Sequence, residues 1–191
     1  MFAKLLSAKT VPTAPISMMA RQEPLMRTYV KDPDQAWIID SARTSSDHVL
    51  VGDPIHTQVT FGVGMPASQR IGVHRKVGGE CDFPNPGEVL SAALASCLDT
   101  TIRIIANRLG LPLNRLQVTV DAKVDVRGTL RVEESAPVGF QTIDVRVSIE
   151  AANGVTQQQI GMLLKAAEHS CVVLQTLRNP PQISLNRDCA N

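Results

Sequence analysis

Two cysteines, Cys97 in ALASCLDTT and Cys171 in AEHSCVVLQTL, are the residues of this chain best suited to chemistry, because each lies in a small-residue, apolar, helix-forming stretch. A cysteine in such a setting has two readings. As a free thiol it packs like a small hydrophobe and is among the most buried residue types. As a thiolate it is a nucleophile and a redox centre. Two helix-borne cysteines can also meet across a packing interface, and a bridge between them requires Cα atoms about 4.4–6.8 Å apart. The short Cys–X–X–Cys spacing of a dithiol motif is absent, so the residues alone leave core packing and redox pairing both open. Cys81, in a glycine-rich loop, and Cys189, in the C-terminal tail, are read as outside the pair.

The elements that must position these thiols follow from patterning. PNPGEVLSAALASCLDTTIRIIANRLG (residues 84–110) carries a helix start in which Asn85 caps, Pro86 takes the first turn, and Glu88, three residues after Asn85, completes a capping box. Leu90, Leu94, Cys97, Thr101, Ile104 and Ile105 recur at spacings of three or four and are expected to form the buried face. Gly110 and Pro112 stop the helix. Cys171 follows a helix over 156–169 and is expected to open a short one over 170–178, capped by Ser170. Strands are expected at 57–64, 69–76, 116–128, 140–151 and 182–187, the middle pair alternating Val or Ile with polar residues as an antiparallel sheet with one wet face does. Residues 1–56, rich in Pro, Asp, Ser and Thr, read as an irregular arm, followed by one α+β domain over 57–191.

Composition excludes several functions. The 191 residues hold 19 basic and 18 acidic side chains for a net charge of +1, with both signs interspersed, so no nucleic-acid surface is expected. Aromatic residues make up 3% of the chain, leaving few rings on which bases or ring cofactors could stack. No apolar run is long enough to span a bilayer, no secretory leader is read at the start, and four cysteines in a chain of this length fit a reducing, cytoplasmic setting. Phosphate-binding loops, dinucleotide fingerprints and serine-nucleophile motifs are absent. Cys97, Cys171 and His169 lack the close-paired spacing of zinc ligands. Neither a cofactor nor a metal is expected.

PNPGEVLSAALASCLDTT together with AEHSCVVLQTL resembles the osmotically inducible protein and organic hydroperoxide resistance family, over about residues 57–187. The resemblance implies an intertwined α+β homodimer of curved antiparallel sheets and long central helices, with active sites at the subunit interface. It also implies thiol-dependent reduction of organic hydroperoxides. Cys97 then matches the attacking cysteine and Cys171 the resolving one, with a cellular dithiol as reductant. Family peroxidases hold an arginine with a glutamate one place before Glu88, where this chain has Gly87. The resemblance nominates Arg70, with Arg75 as the other arginine of the opening strands, and Glu88 as the remaining glutamate of the helix start. Nine residues before Cys97, Glu88 projects from nearly the opposite side of the helix, which favours a capping role. The rival function is a noncatalytic carrier of a small apolar ligand in a dimer-interface pocket.

Overall fold

A computed structural model describes residues 16–47, 49–62 and 67–187. Cys189 and the Met-Pro turn expected between the first two strands lie outside the described residues. Residues 1–36 and 37–191 form two compact units. In the first, Ser17 caps helix α1 (Met18–Lys31) by accepting the Ala20 N–H, and a 3₁₀ turn follows at Pro33–Ala36. The arm is therefore not irregular throughout: its polar composition conceals a capped fourteen-residue helix.

The second unit opens with β1 (Ala42–Thr44), β2 (Thr57–Phe61) and β3 (Ala67–Ile71), an antiparallel sheet in that order. It begins upstream of residue 57, because β1 pairs with β2. The strand expected over 69–76 ends at Ile71, since Arg75–Val77 forms a 3₁₀ turn closed by Gly78 in the left-handed region. Helix α2 (Pro86–Arg108) starts on the expected capping box: Asn85 Oδ1 accepts the Gly87 and Glu88 amides, and Glu88 Oε2 accepts the Asn85 amide at 2.9 Å. Gly110, at φ +65°, turns the chain out of it.

Strand β4 (Leu113–Val124), the single turn α3 (Val126–Thr129) and β5 (Phe140–Ala151) then form a long antiparallel hairpin. Cross-strand pairs such as Val118 with Val147 and Val120 with Val145 share one face, and register shifts near both ends bend the ribbon. Helices α4 (Gln157–Ser170) and α5 (Val172–Arg178) complete the fold. Ser170 is the last residue of α4, and Cys171 itself stands between the helices, so the expected serine cap of α5 is not formed. Residues 182–187 form no strand.

The core is made by two ridges at four-residue spacing. Leu94, Leu98, Ile102 and Ala106 on α2 meet Leu163, Ala167 and Cys171 along α4, all buried. Rows of that spacing interlock when two helices pack. The buried face of α2 thus runs through Leu98 and Ile102 rather than through Cys97, Thr101 and Ile104, which are half-buried at its margin. Leu116, Val118, Val120, Ile143, Val145, Val147 and Ile149 pack beneath this cluster. Among the described residues α2 has the length and apolarity of a membrane span, but it packs as the core helix against β4, α4 and α5 and carries an Asp99–Arg103 ion pair on another face.

Candidate functional site

The two ridges bring the thiols together. Cys171 ends the α4 ridge, Cys97 sits beside the α2 ridge, and the Cys171 S–H donates to Cys97 Sγ at 3.3 Å. Backbone geometry fixes both ends of this contact. Cys171 adopts an extended conformation, φ −77° and ψ 107°, while its N–H still closes α4 on the Ala167 carbonyl and its carbonyl accepts the first bond of α5, from the Gln175 amide. Cys97 is held about three turns into α2, where its carbonyl also accepts the Thr101 hydroxyl at 2.7 Å.

The sulfurs differ in environment. Cys171 is fully buried, whereas Cys97 is half-buried. Burial pushes the Cys171 thiol above its ordinary range, the nearby amides of Leu174 and Val173 pulling the other way, and its bond to Cys97 adds to the rise. The more accessible sulfur is therefore Cys97, and its neighbour stays protonated and donates to it.

Arg70 and Glu88 are engaged elsewhere. The Arg70 guanidinium lies 4.8 Å over the centre of the Phe83 ring, and the Glu88 carboxylate closes the helix cap. Among the described residues no hydrogen bond joins either to Cys97 or Cys171. Phe140 gives a physical reason for the glycine before Glu88: a Cβ on Gly87 would meet the Phe140 Cζ at 3.0 Å and Asn85 Oδ1 at 3.1 Å. Arg75 directs its guanidinium to the Glu80 carbonyl, and its amide donates to Cys81 Sγ. Cys81 is exposed on that loop, and His169 is exposed near the end of α4.

Sequence reasoning missed a second pair of charges. Glu168 on α4 and Arg178 at the end of α5 form an ion pair of 2.7 Å, and both border an apolar cavity of about 490 Å³ walled by Leu94, Leu98, Leu164, Leu174, Leu177 and the inner face of β5. The Gln175 side chain ties α5 to the Glu168 carbonyl as well. Ten residues apart across a helix break, Glu168 and Arg178 have no signature spacing. The break at Cys171 is what folds them together.

His56 forms another unforeseen junction. Its Nδ1 contacts Asp53 at 2.7 Å and its Nε2 contacts Asp82 at 3.0 Å, an arrangement in which the protonated ring donates to both carboxylates at once. Asp53 first, then Asp82, hold its pKa above the ordinary value of 6.5 against some desolvation. Among the described residues, His56, Glu80 and Asp82 offer ligand atoms within 4.8 Å of one another, the arrangement nearest to a metal site, although both His56 nitrogens already have carboxylate partners.

Comparison with solved structures places the fold. The fold is similar to an organic hydroperoxide resistance protein from Legionella pneumophila, with a TM-score of 0.55 at 19% identity, covering 74% of this chain and 90% of that one. It is similar to an OsmC-like protein from Mycoplasma pneumoniae, with a TM-score of 0.57 at 13% identity, covering 75% and 89%. An organic hydroperoxide resistance protein from Elizabethkingia anophelis gives 0.54 at 16% identity, covering 75% and 91%. A search of curated protein sequences gave no match. A family model described as OsmC-like protein matches residues 79–186, which hold α2, the β4–β5 hairpin, both terminal helices and both thiols. With more than half its length so matched, the chain belongs to the OsmC-like protein family.

Proposed function

We propose that this protein is a thiol-dependent peroxidase acting on organic hydroperoxides, with Cys97 as the attacking and Cys171 as the resolving cysteine. The observation that carries the proposal is the 3.3 Å contact between two sulfurs of unequal exposure. A disulfide needs about 2.05 Å, so the sulfurs have only about 1.3 Å to close. The Cys97 thiolate attacks the terminal peroxide oxygen, the O–O bond breaks, and the alkoxide takes a proton to leave as an alcohol. Cys97 is left as a sulfenic acid. The Cys171 sulfur displaces its hydroxyl, which leaves with the Cys171 proton as water, and a disulfide forms. A cellular dithiol then reduces the bridge by exchange and is itself oxidised.

The raised, buried Cys171 thiol suits the second role, because it is shielded from peroxide and lies beside the sulfenic acid it must meet. The apolar cavity, whose wall includes Leu98, the residue after Cys97, suits a substrate with a hydrocarbon part. Arg70 is the proposed source of positive charge, and Glu88 contributes through the cap that starts α2. The working form is a cytoplasmic homodimer. The homodimer is supported by the β1–β2–β3 sheet, against which no helix of its own unit packs substantially among the described residues, leaving it to be covered by another copy.

The test is single-turnover consumption of cumene hydroperoxide followed by peptide mass mapping. The expected product is a Cys97–Cys171 disulfide in the wild type, a trapped sulfenic acid in Cys171→Ser, and no consumption in Cys97→Ser. Recovery of both thiols free in wild-type protein overturns the redox reading. The cavity would then favour a noncatalytic carrier of a small apolar ligand, as its size is within the range of ligand pockets.

A further inference from the structure

Away from the thiols, the fold gathers a second set of reactive side chains at one end of the β2–β3 pair. His56 precedes β2, and the pairing of Thr57 with Ile71 brings it beside the chain leaving β3 at Gly72. The loop before α2 then returns over this end. The Gly72 amide donates to the Pro84 carbonyl at 3.0 Å, and a Cβ at Gly72 would meet Asp82 Oδ1 at 3.0 Å. Glycine is thus what lets the Asp82 carboxylate lie against the strand end. His56, Glu80 and Asp82 offer ligand atoms within 4.8 Å of one another, although His56 and Asp82 are 26 residues apart in the chain.

The imidazole is oriented from its far side. Asp53 Oδ1 accepts the Ile55 amide at 3.0 Å, which fixes that carboxylate, and Asp53 Oδ2 takes the Nδ1 hydrogen of His56 at 2.7 Å. The Phe83 ring meets the imidazole edge to face, with centroids 5.8 Å apart. Nε2 is therefore the nitrogen turned toward Asp82, at 3.0 Å. Histidines that bind metals carry this same kind of carboxylate on the other nitrogen. The charges are also unbalanced, because the carboxylates of Asp53, Glu80 and Asp82 converge on one imidazole. Two arginines of the neighbouring segments are engaged elsewhere, Arg70 on the Phe83 ring and Arg75 at the Glu80 backbone carbonyl. Among the described residues the Glu80 carboxylate has no hydrogen-bond or ion-pair partner. A proton on Nε2 answers Asp82 alone, whereas a divalent cation at the same point answers both carboxylates.

We propose that His56 Nε2, Glu80 and Asp82 bind one Zn²⁺, with water completing its shell and Asp53 orienting the imidazole from outside. The mixed donor set selects the ion. Calcium and magnesium take oxygen ligands, while zinc takes imidazole nitrogen and carboxylate oxygen alike, at about 2.0–2.2 Å. Ligands at that radius on a tetrahedron stand about 3.3 Å apart. His56 and Asp82 are already near this spacing, and the exposed Glu80 side chain makes the remaining adjustment. The Nε2 proton passes to solvent as the cation enters. Cys81 stays outside the site, its Sγ accepting the Arg75 amide at 3.0 Å. Bound zinc clips the segment entering β2 to the loop that leads into the α2 cap.

The test uses full-length reduced protein, stripped with a chelator and titrated with Zn²⁺ by calorimetry and with Co²⁺ by absorption. The expected result is one cation per chain. The Co²⁺ complex should show the weak visible bands of nitrogen and oxygen ligands without strong sulfur-to-cobalt charge transfer. His56→Gln and Glu80→Gln should each weaken binding by at least about tenfold, as loss of an outer-shell partner already does. Glu80 is exposed, so its variant keeps the site testable should His56→Gln fold poorly. Absence of binding at millimolar Zn²⁺, a strong sulfur charge-transfer band that moves the metal to the thiols, or unchanged affinity in Glu80→Gln overturns the site.

Discussion

Gly87→Ala isolates the departure at the start of α2 with a single methyl group. The new Cβ would stand 3.0 Å from Phe140 Cζ, whereas carbon atoms in good contact lie about 3.5–4.0 Å apart, so the ring must retreat by at least about 0.5 Å. Overpacking of this kind costs about 1–3 kcal/mol. Replacing glycine by alanine in a helix returns about 0.5–1 kcal/mol of backbone entropy. Asn85 Oδ1, 3.1 Å from the added carbon, is also the acceptor for two cap amides, so the cap has little freedom to move aside. The net expectation is a loss of about 1 kcal/mol, or about 2–4 °C in Tm for a chain of this size. Urea unfolding at fixed protein concentration measures it, since assembly shifts apparent stability. Phe140→Leu should relieve the contact, giving a coupling of at least about 0.5 kcal/mol in the double-mutant cycle. A Gly87→Ala protein more stable than wild type, or a cycle with no coupling, would refute the claim that Phe140 occupies the place of a side chain at position 87.

Three further outcomes follow from particular contacts. Leu163→Ala removes a side chain with no exposed surface from the α2–α4 interface and should lower stability by about 3 kcal/mol in urea unfolding. Because the His56 pKa is raised by Asp53 and Asp82, its contribution is complete below about pH 6.5 and is lost as pH rises through the higher folded value. The lowered Asp53 pKa contributes above about pH 3.9 and is lost as pH falls through its folded value. His56→Gln should therefore flatten the alkaline limb of a Tm-against-pH curve, and an unchanged limb would place that dependence elsewhere. Arg70→Gln should slow the reaction of Cys97 with peroxide more than it changes stability, because its guanidinium lies on an exposed strand over Phe83. Equal peroxide rates in stopped flow would remove Arg70 from the site.

Local rules carried most of the fold. The capping box at Asn85 and Glu88 marked the start of α2, and alternation in β5 set its bounds at Phe140–Ala151. Failures came where nonlocal packing decides. Gln182–Arg187 alternates like a strand but finds no neighbour to pair with among the described residues. Residues 72–76 look continuous with β3, yet the Gly72 amide donates to the Pro84 carbonyl and Val73 accepts the Cys81 amide, drawing the chain off into the loop before α2. In α2 itself, a mixture of three- and four-residue spacings fitted two adjacent faces. The choice between them was made by the α4 ridge, which presents Leu163, Ala167 and Cys171 to Leu94, Leu98 and Ile102.

That choice of face also explains the asymmetry of the thiols. Had Cys97 occupied the centre of the buried ridge, both sulfurs would be sealed from solvent. One position away from Leu98, it remains beside Cys171 while keeping part of its surface open. Cys171, by contrast, ends a ridge of residues with no exposed surface, and it does so at the point where the helix breaks. The same break turns α5 back so that Arg178 meets Glu168 and Leu174 and Leu177 enter the cavity wall. A substitution that lets α4 run straight through position 171 should thus lose the sulfur contact, the ion pair and the cavity together. The sulfur contact and the apolar cavity are, in this fold, consequences of a single backbone turn.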